Sequence, residues 1–124
     1  MLGVVSYEDM VKLYTNSLAF TFASFFGPDN LPPLEAFALG CPVTASRVSG
    51  AAEQLGDAVV LFDPANPEDI AEAIFTISHN QQLRARLVRK GAEIALARTP
   101  QSYMSQVCNI LDKFECIRRC WGHN

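Results

Sequence analysis

The segment Leu18-Ala19-Phe20-Thr21-Phe22-Ala23-Ser24-Phe25-Phe26-Gly27-Pro28-Asp29-Asn30-Leu31-Pro32-Pro33-Leu34-Glu35-Ala36-Phe37-Ala38-Leu39-Gly40-Cys41-Pro42-Val43-Thr44-Ala45 reads as strand, loop, helix and strand. Leu18–Phe22 is a short apolar run with aromatics and a β-branched residue, the composition of a buried strand. Gly27-Pro28-Asp29-Asn30 punctuates a loop. Pro32-Pro33 opens a helix, because proline is tolerated in a first turn. Gly40 closes it in the left-handed position. Pro42–Ala45 is the next strand. Strands separated by a helical segment make a βαβ unit, and hence a parallel sheet.

The pattern continues downstream. Ser46 to Gly50 is a small-residue loop, and Ala51 to Leu55 a short helix ended by Gly56. Ala58–Phe62 is a third strand, continuously apolar as in a strand covered on both faces. Asn66 caps a helix with Pro67 first and Glu68 and Asp69 complementing its dipole. Ile70, Ala73, Ile74 and Ile77 are its apolar stripe. Asn80 starts another helix. There Leu83, Leu87, Ala92, Ile94 and Ala95 face inward, Arg84, Arg86, Arg89 and Lys90 face outward, and Gly91 is expected to kink or end it. Thr99-Pro100 opens a last helix carrying Tyr103, Val107, Ile110, Leu111 and Phe114 at helical spacing. Upstream, Ser6 caps a helix with Met10, Leu13 and Tyr14 as its stripe.

Three strands are convincing, whereas a doubly wound sheet has about five or six. The expected fold is therefore α/β: a partial Rossmann-like parallel sheet with flanking helices. Residues 1–124 read as a single partial domain, an α/β core over 1–98 and a C-terminal helix over 99–124. Val4-Val5 reads as the stub of a lost strand.

Composition narrows the function. With 124 residues there is room for one domain, and 49% hydrophobic against 19% charged residues excludes a disordered chain. A net charge of -3 with no basic block argues against nucleic acid as a partner. No apolar run reaches the ~20 residues of a transmembrane helix. Met1–Val5 lacks the basic flank of a secretory signal, so a cytoplasmic location is expected. In that compartment Cys41, Cys108, Cys116 and Cys120 are free thiols. Cys116, Cys120 and His123 supply only three soft ligands without a CxxC knuckle, so neither a metal nor a cofactor is expected.

Chemistry points to the loop after the first strand. In open parallel sheets ligands bind beyond the carboxyl ends of the strands. A helix start there offers unpaired N–H groups and a positive dipole end, suited to phosphate. Gly27 permits close backbone approach. Glu35, read as lying in the first helical turn, is placed to accept hydrogen bonds from a ribose diol. Its ordinary alternative, a dipole-complementing acid, carries more weight on these grounds alone. The loop Ser46-Arg47-Val48-Ser49-Gly50 follows the adjacent strand, so Ser46, Ser49 and the Gly50 backbone are candidates for a phosphate or sugar. An ordinary loop connection is equally compatible. Arg47 either neutralises a diphosphate or points into water, with water favoured.

These residues carry a resemblance. Leu31-Pro32-Pro33-Leu34-Glu35-Ala36-Phe37-Ala38-Leu39-Gly40-Cys41-Pro42-Val43-Thr44-Ala45-Ser46 resembles the C-terminal-domain motif of the retaining GT-B glycosyltransferases, family 4 (glycosyltransferase group 1). Gly56–Pro64 and Pro67–Ile74 resemble that family's next strand and helix. The resemblance runs from Gly3 to Gly91 and more loosely beyond.

The resemblance implies the donor-binding half of a two-domain glycosyltransferase, holding strands 4, 5 and 6 of a sheet ordered 3-2-1-4-5-6. The donor would be a UDP- or GDP-sugar. A glycan or lipid-linked acceptor would be met by an N-terminal domain, and the longer enzyme would be peripheral to the membrane. The family's signature is two glutamates separated by seven residues. Glu35 matches the second, which holds the ribose. The first is absent, and Ser24 stands in its place with Pro28-Asp29-Asn30 as an insertion. Asp29 or Asn30 is then the substitute for the lost sugar contact, and the Gly27 and Leu31 backbone approaches the diphosphate or sugar. A non-catalytic nucleotide-binding or interaction module derived from the fold is the alternative. A dehydrogenase half is disfavoured because no G-x-G-x-x-G follows a strand. Self-association through an exposed Leu18–Phe22 edge is also expected.

Overall fold

The computed structural model describes residues 3–26 and 31–121, with residues 100 and 116–121 as backbone only. The elements are α1 Tyr7–Asn16, β1 Phe20–Phe22, α2 Leu31–Ala38, β2 Val43–Ser46, α3 Ala51–Leu55, β3 Val59–Phe62, α4 Pro67–His79, α5 Gln81–Ala97 and α6 Pro100–Trp121. The three strands lie side by side in chain order, and both pairs are parallel. The expected partial Rossmann-like α/β sheet is the fold observed.

Register decides which side chains share a face. Phe20, Val43 and Val59 form one row, and Phe22, Ala45 and Leu61 the next. On that face Val43, Ala45 and Val59 join Ala36, Phe37, Cys41, Leu55 and Ala58 in the core cluster. Phe20, Phe22, Leu61, Ile94 and Ala95 pack around it. By strand alternation Thr44 and Ser46 take the opposite side, where both are buried. Helix α2 packs on α5, β1 and β2, while α4 packs on β3 and α5.

The helix starts follow from capping chemistry. Ser6 Oγ accepts from the Asp9 amide at 3.2 Å, Asn66 Oδ1 from Glu68 at 3.0 Å, Asn80 Oδ1 from Leu83 at 2.8 Å and Thr99 Oγ1 from Ser102 at 3.1 Å. Gly40, with φ +70°, turns the chain from α2 into β2.

Three expectations need correction. Helix α5 runs on through Gly91 to Ala97, so the glycine does not end it. A Cβ there would stand 2.6 Å from the Phe37 ring, so the glycine lets α2 and α5 approach. Arg84 does not simply face outward. Its guanidinium donates to the carbonyls of Ile77 at 2.7 Å and Ser78 at 2.8 Å, satisfying the C-terminal end of α4. Strand β1 starts at Phe20 rather than Leu18. The Ser17 amide still closes α1 on Tyr14 O, and the first ladder bond runs from Phe20 N to Pro42 O. Along α6, Tyr103, Met104, Ile110, Leu111 and Phe114 are exposed.

Candidate functional site

The carboxyl ends of β1 and β2 open into two adjacent loops, and one side chain ties them together. Ser46 Oγ accepts from the Ser24 amide at 2.9 Å and donates to Phe22 O at 3.4 Å. Ser46 is only 2% exposed, so its hydroxyl holds the two loops in place. Ser24 Oγ donates to Phe26 O at 2.6 Å and accepts from the Phe26 amide at 3.2 Å, closing a tight turn. The structure thus brings Ser24 and Ser46 together and engages both hydroxyls within the protein. Phe25, Phe26 and Leu31 are exposed. Gly27, Asp29 and Asn30 lie outside the described residues.

The second loop rises from β2. The Arg47 amide continues the ladder to Phe62 O at 2.7 Å, and its exposed guanidinium donates to Leu61 O at 3.3 Å. Arg47 is exposed, with its guanidinium also resting on the Leu61 carbonyl of β3. Ser49 and Gly50 are exposed. Gly50 has φ +81° at the start of α3.

Helix α2 begins at Leu31, so Pro32 and Pro33 occupy its second and third positions. The first four amides of a helix have no internal partner, which is why two prolines fit there. Only Leu31 and Leu34 then keep an N–H among those four. Glu35 is the fifth residue, and no acid lies in the first turn. That corrects the expected first-turn placement and weakens the dipole-complementing role for Glu35. Its side chain is exposed, with solvent access beside the helix start.

Tyr14 is the residue that sequence reasoning missed, having read it only as part of an apolar stripe. Its ring meets Phe20 edge-on at 5.2 Å. Burial raises the phenol pKa above the ordinary value, and the Glu35 charge, Cys41 and a hydrogen bond to Glu35 raise it further. The available signal was chemical: a half-buried tyrosine hydroxyl usually has a polar partner. Burial also raises the Cys41 thiol, with a backbone hydrogen bond from Phe20 acting the other way.

Elsewhere, a surface hollow of about 510 Å³ lies at the α5–α6 junction, lined by Arg98, Thr99, Ser102, Tyr103 and Gln106. Among the described residues no group of three His, Cys, Asp or Glu is placed to hold a metal ion. The Cys116, Cys120 and His123 side chains fall outside those residues. No described helix is long and apolar enough to cross a membrane.

Residues 1–94, which contain both loops, match the family described as glycosyl transferases group 1. The chain belongs to that family. Its relatives include the O-antigen chain mannosyltransferase B of Escherichia coli, 33% identical over 90 residues, covering 73% of this chain and 24% of the relative. Another is the serotype-specific mannosyltransferase WbdA of Escherichia coli, 27% identical over 101 residues, covering 78% of this chain and 12% of the relative. This group 1 chain therefore spans about a quarter or less of the length of these relatives.

Proposed function

We propose that the chain carries part of the nucleotide-sugar site of a retaining glycosyltransferase. The observation that carries this reading is the exposed Glu35 carboxylate near the start of α2, in a stretch matched by the group 1 family in which Ser46 joins the β1 and β2 loops. The Leu31 and Leu34 amides at the positive end of α2 meet the diphosphate. Glu35 accepts from the ribose hydroxyls, and Arg47 adds a positive charge at the neighbouring loop. Both relatives are named for mannosyl transfer, which favours a mannosyl donor on GDP or UDP. The acceptor is a glycan or lipid-linked chain, and the work is done at the cytoplasmic side.

In a retaining transfer the departing diphosphate must be stabilised while an acceptor is held in line. Leu31, Leu34, Glu35 and Arg47 serve the first requirement only in part. The isolated 124 residues are therefore expected to bind a donor without turning it over.

One observation favours a second reading, a binding module without catalysis. Ser24 stands where the family's first glutamate would be, and its hydroxyl is spent closing its own turn. A neutral, internally bonded serine does not replace a carboxylate at a sugar.

Calorimetric titration of GDP and UDP tests the donor site. Glu35→Gln is expected to weaken binding by about 1.5–3 kcal/mol, the size of a charge-assisted hydrogen bond, with an unchanged melting temperature. Equal affinity in the variant would remove Glu35 from the site.

A further inference from the structure

The paired register of β1 with β2 ends at Phe22 and Ala45. One residue further along β2, the side chain of Ser46 takes over. Its Oγ accepts from the Ser24 amide at 2.9 Å and donates to Phe22 O at 3.4 Å. Ser46 is 2% exposed, and burial strengthens such bonds by keeping water from competing for them. Ser24 then closes the turn to Phe26 with its own hydroxyl. The whole turn thus hangs on Ser46.

On its other side Ser46 belongs to a fixed frame. It stands opposite Phe62 in the β2–β3 register, and the next amide, that of Arg47, donates to Phe62 O at 2.7 Å. The Arg47 backbone is therefore anchored from β3, independently of β1. The Ser46 hydroxyl registers the β1 turn against it.

We propose that Ser46 is a positioning residue: its hydroxyl presets the β1 turn against Arg47, so that the diphosphate of a nucleotide meets loops already in place. This rests on the donor-site reading given above. Loops set in advance spare a ligand the entropy of ordering them, and that is the contribution of Ser46. The ligand class it serves is an anionic one, a nucleoside diphosphate, because the turn is registered against a guanidinium-bearing residue. Ser46 touches no ligand itself, since its proton and one lone pair are already engaged.

The test is calorimetry of GDP and UDP with the full chain, Ser46→Ala, Arg47→Gln, the double variant and Glu35→Gln. Ser46→Ala is expected to weaken binding about two- to tenfold, the range of one hydrogen bond. In the Arg47→Gln background the same change is expected to cost much less, because the group it positions the turn against is gone. Ser46→Cys fills the site with a weak donor and acceptor, and is expected to lose affinity as Ser46→Ala does. It also carries the test should Ser46→Ala fail to fold. If Glu35→Gln weakens binding and neither Ser46 variant does, the positioning role is wrong and the donor site stands. An equal loss from Ser46→Ala in both backgrounds also overturns the role, since Ser46 would then act through the fold alone. A silent Arg47→Gln overturns it as well. If Glu35→Gln is silent, or wild type binds neither nucleotide, the donor-site reading fails and this role with it.

Discussion

Gly91 shows at the residue scale how a position is set by its neighbour. Glycine inside a helix costs about 1 kcal/mol relative to alanine, yet here a Cβ would collide with the Phe37 ring. Gly91→Ala is therefore expected to lower stability by about 1–3 kcal/mol despite its better helix propensity, because overpacking dominates. Urea unfolding measures this, and a stabilised variant would refute the contact. Tyr14 and Cys41 give a pH dependence. Both have folded pKa values raised from their ordinary 10.0 and 9.0. The folded chain holds these protons more tightly than the unfolded one. Their contribution is thus full below the unfolded pKa and is lost as pH rises through the folded value. Thermal midpoints are expected to fall above about pH 9. The fall should be shallower in Tyr14→Phe and Cys41→Ser; identical slopes in both variants and wild type would contradict it. Glu35 was legible as a candidate because it lies near a helix start that follows a strand, although on the residues alone an ordinary dipole role weighed more. Tyr14 was not, since Met10, Leu13 and Tyr14 satisfy a helical stripe without naming a polar partner.

At the element scale, capping residues were the most readable signals. Ser6, Asn66, Asn80 and Thr99 each accept from an amide two or three residues on, a local interaction that needs no tertiary context. Boundaries set by long-range contacts were less readable. The start of β1 depends on where Pro42 O meets Phe20 N, and the start of α2 on how many unpaired amides two prolines replace. The role of Gly91 depends on Phe37, far away in sequence, and that of Arg84 on the end of the preceding helix α4, neither of which the stripe of α5 itself reveals. Strand β1 is an edge among the described residues, with Tyr14 shielding Phe20 and α1 contributing no buried residue. Such an edge invites pairing with a second chain. Sedimentation over a concentration series is expected to show self-association that Thr21→Lys reduces, since an edge charge opposes strand pairing. A wild-type monomer at high micromolar concentration would contradict the open edge.

The whole molecule combines a central strand buried on both faces with surfaces that stay open. The core cluster joins α2, α3, α5 and all three strands. In contrast, α6 exposes Tyr103, Met104, Ile110, Leu111 and Phe114 along its length. Both candidate loops sit at the same end of the sheet, tied by Ser46, whereas the α5–α6 hollow lies elsewhere. That separation allows a direct test of where a donor nucleotide binds. The measurement is titration of the 15N-labelled chain with GDP and with UDP, followed by amide chemical shifts. The donor-site account expects saturable shifts at Leu31, Leu34, Glu35, Arg47 and Gly50. Shifts confined to Arg98–Gln106, or none at millimolar nucleotide, would contradict it.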